Sequence, residues 1–316
     1  MSESSRECNE CSKLFLVFNT SCFGDVLLCN SLCQNIKANY PESKIVFVVD
    51  KPFFDVAKYQ KDVDEVIIYD KNGVHKGFWG MLRFIKEYGY LKPFASFITY
   101  KNERNSLIAK LLKSKYIFSE NKKLKNFSTQ ERHNGLLKNL IPSDKVINYP
   151  ISYKVSDVEK NNLKTRFNLG YDYVVISPVS KRVEKNMPVQ IVAELISLIK
   201  TLGYYVVIVG AGKDSENFAG ELNSLNKDFL NLVGQTTIPE LAIVLKQSKA
   251  LISVDTGTMH MGCAVNVPMV SVFYESNMIK KWAPNSDLYN SHLISENQTP
   301  ENIFKTLKEV LGGQNE

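Results

Sequence analysis

A chain of 316 residues is long enough for two domains of ordinary size, and 44% hydrophobic with 23% charged residues is the balance of a globular protein in water. The net charge of +6, from 39 Lys and Arg against 33 Asp and Glu, is dispersed rather than blocked. That argues against a nucleic-acid partner, while suiting phosphorylated or anionic-membrane substrates. No apolar run approaches a membrane span, and the opening MSESSRECNECSK is polar and mixed in charge, unlike a secretory signal.

In chain order, Lys13 to Asn19 (KLFLVFN) reads as an apolar strand. The loop Thr20-Ser21-Cys22-Phe23-Gly24-Asp25 follows, and one helix then carries Val26, Leu27, Leu28, Leu32 and Ile36 on a single face until Tyr40-Pro41 stops it. Further strands are expected at Ile45 to Val49, Glu65 to Tyr69, Phe94 to Thr99 and Lys115 to Phe118. Helices are expected at Phe78 to Tyr88, Glu103 to Leu112 and His133 to Leu140, with a polar loop over Lys122 to Glu131. From Ile141 to Tyr153 the periodicity weakens, and a charged amphipathic helix runs on to Phe167 with Gly170 after it. The domain junction is placed here, giving domains 1–153 and 154–316.

Beyond the junction the alternation restarts. Strands are expected at Tyr173 to Ser177, Tyr205 to Val209, Phe229 to Leu232, Ala250 to Val254 and Pro268 to Phe273. The helices are Pro188 to Thr201, Ser215 to Leu225, Pro239 to Lys246, Thr258 to Val265 and a closing Thr299 to Leu311 that could pack back on the N-terminal domain. Strands alternating with helices imply two parallel, doubly wound, Rossmann-like α/β domains, with a cleft between their sheet ends.

The densest chemistry lies in LISVDTGTMHMGCAVNVPMVSVFY, Leu251 to Tyr274. An apolar strand ends at Asp255, Thr256-Gly257 turns the chain, and a small-residue helix carries His260 one turn in. Ligands of open α/β sheets bind outside the carboxyl ends of the strands, and a helix N-terminus there suits a diphosphate. The plain structural reading is a capped helix with a satisfied, half-buried histidine. The loop Ser177 to Pro188 (SPVSKRVEKNMP) also follows a strand and holds Lys181, Arg182 and Lys185, cations suited to phosphate oxygens or simply to solvent. In the first loop, Gly24 permits a tight turn and Asp25 enters a helix's first turn, either as a favoured N-terminal acid or as a base for an attacking hydroxyl.

Gly210-Ala211-Gly212-Lys213 lacks the Walker spacing and the third glycine of a dinucleotide fingerprint, whose place Ser215 takes. What remains is a strand-loop-helix in which Glu216 could hold a ribose diol. Asp62-Val63-Asp64 looks like a metal-binding DxD but reads better as an exposed turn. His75 and His133 receive no role, and Trp79 and Trp282 read as core or rim rather than sugar platforms. Lys51, Lys101, Arg104 and Lys122 could meet phosphates on an acceptor, or could be surface charges. Of the six cysteines, Cys8 and Cys11 form a CxxC with no second pair or nearby His, and Cys29 and Cys33 lie one turn apart on an expected helix. Cys263 sits in the small-residue helix. Reduced cytosolic thiols account for all of them.

Three of these motifs resemble the glycosyltransferase family that includes the ADP-heptose:lipopolysaccharide heptosyltransferases, family 9. They are TSCFGDVLL at Thr20 to Leu28, EKNMP at Glu184 to Pro188, and SVDTGTMHMGCA at Ser253 to Ala264. In the second, Asn186 and Met187 replace the Arg and Trp of the family's Lys-Arg-Trp-Pro signature. The resemblance implies a GT-B architecture, with the acceptor on the N-terminal domain and the nucleotide-sugar on the C-terminal one. It implies inverting, metal-independent transfer of a sugar, heptose from ADP-heptose first, onto lipopolysaccharide core or a related envelope glycan. No cofactor is expected beyond the donor, and the location implied is cytoplasmic, with at most peripheral contact at the inner membrane. Asp25 would be the base and Lys185 the group that takes up leaving-group charge. Thr20, Ser21, Gly24, Ser177, Arg182, Glu216, Asp255, Thr256, Gly257 and His260 would line the substrates. A periplasmic sugar-binding protein would need an export signal and an NAD-dependent oxidoreductase a full glycine fingerprint. An inactive member that only binds the nucleotide-sugar, or one using another donor, is the remaining alternative.

Overall fold

The structure is a computed structural model that describes residues 13–100, 102–120, 127–155, 163, 166–167 and 169–312. The Cys8/Cys11 pair, Lys101, Lys122 and most of the charged helix expected before Gly170 lie outside the described residues. The chain divides into two compact units. One gathers Met1–Ser21, Cys29–Lys123 and Gln130–Asn148; the other gathers Cys22–Leu28, Leu124–Thr129 and Tyr149–Glu316.

In chain order the first half runs β1 (Leu14–Asn19), α1 (Phe23–Leu28), α2 (Asn30–Asn39), β2 (Lys44–Val49), α3 (Phe54–Lys58) and β3 (Glu65–Ile68), then α4 (Gly77–Tyr88), β4 (Ala95–Ile98), α5 (Glu103–Leu111), β5 (Tyr116–Ser119) and α6 (Thr129–Asn134). The sheet order is β3-β2-β1-β4-β5 and every pairing is parallel. A parallel sheet covered on both faces needs unbroken apolar strands, which is why Phe15, Leu16 and Val17 are all fully buried. The single helix expected after β1 is interrupted at Cys29, whose thiol donates to Thr99 Oγ1 at 3.3 Å and lies 3.6 Å from His133 Nδ1. The break also falls at a boundary of the two units: α1 is counted with the second one.

The second half contains β6 (Tyr173–Ser177), α7 (Val189–Lys200), β7 (Tyr205–Ile208), α8 (Lys213–Leu225), β8 (Leu230–Asn231) and α9 (Ile238–Gln247), then β9 (Ala250–Val254), α10 (Gly257–Ala264), β10 (Met269–Val272), α11 (Ser276–Trp282), β11 (Ser291–Ile294) and α12 (Pro300–Gly312). Its parallel sheet has the order β11-β10-β9-β6-β7-β8. Val174, Ile176, Val206 and Ile208 of the sheet meet Val192, Leu195 and Ile199 of α7 in one core. Ile303, Leu307 and Val310 of α12, at helical spacing, are buried in that same core. The apolar stripe of this helix thus belongs to the core of its own unit.

Three short elements were not foreseen: α3, α11 and β11. Each carries too few residues for a periodic pattern, and β11 exists by pairing with β10. The helix expected over His133 to Leu140 is instead the end of α6 followed by a 3-10 turn at Gly135–Asn139. Among the described residues no helix is long and apolar enough to cross a membrane.

Both sheet orders place the candidate residues. In the second unit the chain runs outward from β6 to β8, returns to lay β9 beside β6, and continues the other way to β11. The loops leaving β6 and β9 therefore diverge from neighbouring strand ends, the topological switch point at which open α/β sheets bind ligands. In the first unit β1 and β4 stand in the same relation.

Candidate active site

The loop after β6 is folded by its own backbone and one amide. Ser180 N–H donates to Asn186 Oδ1 at 2.7 Å, and Met187 N–H donates to Pro178 O at 2.9 Å. Met187, in the place of the signature's Trp, is a core residue, packed in the cluster that holds Val189 and Val192. Asn186, in the place of its Arg, staples the loop. Between them, the 3-10 turn Val183–Lys185 turns the Lys185 ammonium inward, where it donates to Asp255 Oδ2. Both side chains are about nine-tenths buried, at 11% and 8% exposure. Burial of a charge requires such a partner. Arg182 is directed elsewhere, to Glu275 Oε1 at 2.7 Å, and Lys181 is exposed. Of the three cations singled out in this loop, only Lys185 joins the buried cluster.

Asp255 follows β9, and Thr256 then caps α10 by accepting from Thr258 N–H at 3.2 Å. Ser177 and Ser253 are register partners on β6 and β9, and both are buried. Ser253 Oγ also lies 3.4 Å from Thr256 Oγ1, so the predicted residues Ser177, Asp255, Thr256 and Gly257 share one corner of the sheet.

Helix α1 meets this corner through two glycines. A β-carbon on Gly257 would stand 2.4 Å from the Phe23 ring, and one on Gly24 would stand 2.5 Å from Cδ2 of His260. Each helix start thus uses the missing side chain of the other's glycine, a close approach that only glycine permits. His260 is buried and leans on Trp282, with ring centroids 6.0 Å apart. Burial pulls its pKa below the ordinary histidine value. Asp255 and Asp25 oppose the shift, and Lys185 reinforces it. The imidazole is therefore neutral near pH 7, and Asp25, Asp255 and Lys185 all lie within electrostatic reach of it. Asp25 also accepts from Cys22 Sγ at 2.7 Å.

Other candidates occupy different places. Thr20 is buried, its hydroxyl accepting from Asn105 at 3.3 Å and its carbonyl from Lys71 at 2.6 Å. Ser21 Oγ donates to Asn19 Oδ1 at 2.6 Å, so both hydroxyls serve the loop. Glu216 is exposed in the first turn of α8, near Gly234 after β8. Ser215 lies against Gly210 at the position a third fingerprint glycine would fill. Lys51 is exposed, whereas Arg104 is structural: it donates to His75 O and Gly77 O and lies over the Tyr69 ring. Asp64 caps Ile45 N–H at 2.7 Å and pairs with Lys37, as a turn residue does. His75, stacked on Tyr69, is a core residue. Among the described residues no three His, Cys, Asp or Glu side chains group as a metal site, and Cys22, Cys29, Cys33 and Cys263 are in no disulfide.

Sequence reasoning missed Phe23, Glu275 and the position of Trp282 beside His260. Trp282 and Glu275 belong to the short α11 region, which has no motif of its own; Phe23 lay inside the motif, but its partner is a backbone.

Two parallel, doubly wound units, with charged groups collected at a switch point beside a helix N-terminus, define a GT-B-type fold. The chain belongs to glycosyltransferase family 9 (heptosyltransferase), whose profile matches residues 135–309. It is 29% identical over 128 residues to lipopolysaccharide heptosyltransferase 3 of Escherichia coli, a match covering 36% of this chain and 38% of that protein. The aligned stretch is thus well under half of the relative's length. A family 9 glycosyl transferase from Veillonella parvula superposes with a TM-score of 0.82 at 18% identity, over 97% of this chain and 100% of that one. The ADP-heptose lps heptosyltransferase II of E. coli does so with a TM-score of 0.77 at 18% identity, over 96% and 100%. At those identities the likeness speaks for the fold alone.

Proposed function

We propose that the chain is an inverting, metal-independent glycosyltransferase that moves a sugar, heptose from ADP-heptose first, onto lipopolysaccharide core or a related envelope glycan. The observation that carries this reading is the buried Lys185–Asp255 pair beside α10, with the start of α1 that bears Asp25 packed against His260. An in-line displacement needs a proton acceptor on the attacking side and charge stabilisation on the leaving side. The acceptor hydroxyl forms a bond to the anomeric carbon, the bond from that carbon to the diphosphate oxygen breaks, and the hydroxyl proton passes to Asp25. Charge on the departing diphosphate is met by Lys185 and by the N–H groups of the first turn of α10. Neutral His260 donates one ring N–H to a phosphate oxygen, Asp255 holds Lys185 and contacts the donor sugar, and Glu216 binds the ribose diol. The acceptor belongs on the first unit.

A second reading, transfer of a different nucleotide-sugar, is favoured by one feature: Asn186 and Met187 turn into the loop and the core, so neither supplies the cation and indole of the usual signature. A donor screen read by mass spectrometry, with ADP-heptose, UDP-hexoses and GDP-hexoses, tests both. Product from ADP-heptose alone supports the first reading, product from another donor replaces it, and binding without product leaves a nucleotide-sugar-binding protein. We place the enzyme in the cytoplasm with peripheral membrane contact. The support for that contact is Trp79 and Phe78, 80% and 62% exposed at the start of α4 beside the exposed Lys76 and Arg83.

A further inference from the structure

A pocket of about 550 Å³ opens at the amino ends of β6, β7 and β8, the end of the sheet opposite the switch point. Tyr173, Tyr205, Val207 and Leu230 line it from the strands, and Tyr204 and Phe229 from the loops that enter them. The strand residues have the opposite parity to Val174, Val206 and Ile208, so they face away from the core shared with α7. β8 is the edge strand on this side, and the strand residues give the pocket its wall on that face.

The volume is that of small-molecule sites, and the lining is aromatic with a few polar groups, as such sites are. Tyr171 and Tyr205 stack with centroids 4.7 Å apart and planes 27° apart, although 59% and 56% of their surfaces are exposed. They form a flat face rimmed by hydroxyls. At the same rim Lys200 and Asp228 pair at 2.6 Å, offering a donor and an acceptor side by side. A pyranose ring presents an apolar C–H face and a fringe of vicinal hydroxyls, which match such a face and such a pair.

The charge of the lining is mixed, with Lys200 and Lys227 against Asp228, and the backbone weighs against an anion. This is the end of the unit at which α7 and α8 finish, so their C-terminal carbonyls give the surroundings partial negative charge, the reverse of the start of α10. Asp228 is an acceptor for neutral hydroxyls, and it holds Lys200, so that ammonium is not left for an anion. We infer that the Tyr171–Tyr205 pocket is a binding site for a neutral saccharide unit, separate from the transfer site and independent of whether transfer occurs.

Saturation-transfer difference NMR on the full chain tests this, using methyl glycosides of glucose, galactose and mannose, and dodecyl maltoside as a probe with both a sugar and a chain. The expected result is transfer to ring C–H protons of at least one glycoside, retained with saturating ADP and reduced at least fivefold in Tyr205→Ala. Tyr171→Ala, altering a more exposed residue, gives the same reading should Tyr205→Ala fail to fold, and Tyr205→Phe keeps most of the signal. Transfer to no glycoside, transfer unchanged by both alanine variants, or transfer confined to the dodecyl chain would overturn the assignment.

Discussion

Gly24 yields the space of its β-carbon to the ring of His260: a carbon built there stands 2.5 Å from Cδ2, closer than real contacts come. With the mirror-image contact of Gly257 on Phe23, it fixes the start of α1 against the start of α10 and so sets where Asp25 stands relative to His260. Gly24→Ala forces one of the two helices to shift, at about 1–3 kcal/mol by the usual cost of overpacking. A His260→Ala change opens the space, so the double variant should lose less stability than the two single losses add up to. A urea-unfolding cycle measures the coupling, and strict additivity would show that the contact carries no strain.

The Lys185–Asp255 pair is buried, and its value lies in not being broken. Lys185→Met leaves the Asp255 carboxylate without its cation and should cost about 3–5 kcal/mol, most of it recovered when Asp255→Asn is added. Chemical denaturation reads this directly. Calorimetry with ADP adds a second expectation, weaker nucleotide binding in both variants, because each lacks the ammonium.

His260 gives the protein an acid-side sensitivity with a definite sign. Its folded-state pKa lies below the ordinary value of 6.5, chiefly through burial. Between the two values the unfolded chain holds more protons than the folded one, so stability is complete above about pH 6.5 and falls as the pH drops below it. His260→Gln should flatten that fall. Thermal midpoints at pH 7.5 and 5.5, for the protein and the variant, would contradict this if their differences were equal.

Most of the framework was legible in the sequence. Unbroken apolar runs such as Phe15 to Phe18 and Ala250 to Val254 could only be strands of a sheet covered on both faces, and the residues punctuating them marked the loops. Asp255, Thr256 and His260 could be placed because strand, turn and helix follow one another within a dozen residues. What could not be read were contacts made by topology. The pairing of Lys185 with Asp255, seventy positions apart, arises because β9 returns to lie beside β6. Arg182 was equally basic on paper, and its diversion to Glu275 depends on a helix too short to leave a pattern.

Phe78 and Trp79, with rings 5.7 Å apart, stand in water beside Lys76 and Arg83. On vesicles containing phosphatidylglycerol, Trp79→Ala should weaken partitioning roughly tenfold, the value of burying one large aromatic side chain. Raised salt should weaken it further. Sedimentation with vesicles checks both, and equal partitioning of variant and parent would remove the proposed membrane contact.

Asp25 is tested as the base by Asp25→Asn, assayed for sugar transfer from the donor found active in the screen and, in parallel, for ADP binding by calorimetry. Transfer should fall by roughly 10²–10⁴-fold, the usual worth of a positioned general base, with ADP affinity within about twofold of the parent. A variant that transfers sugar at near the parent rate would contradict it.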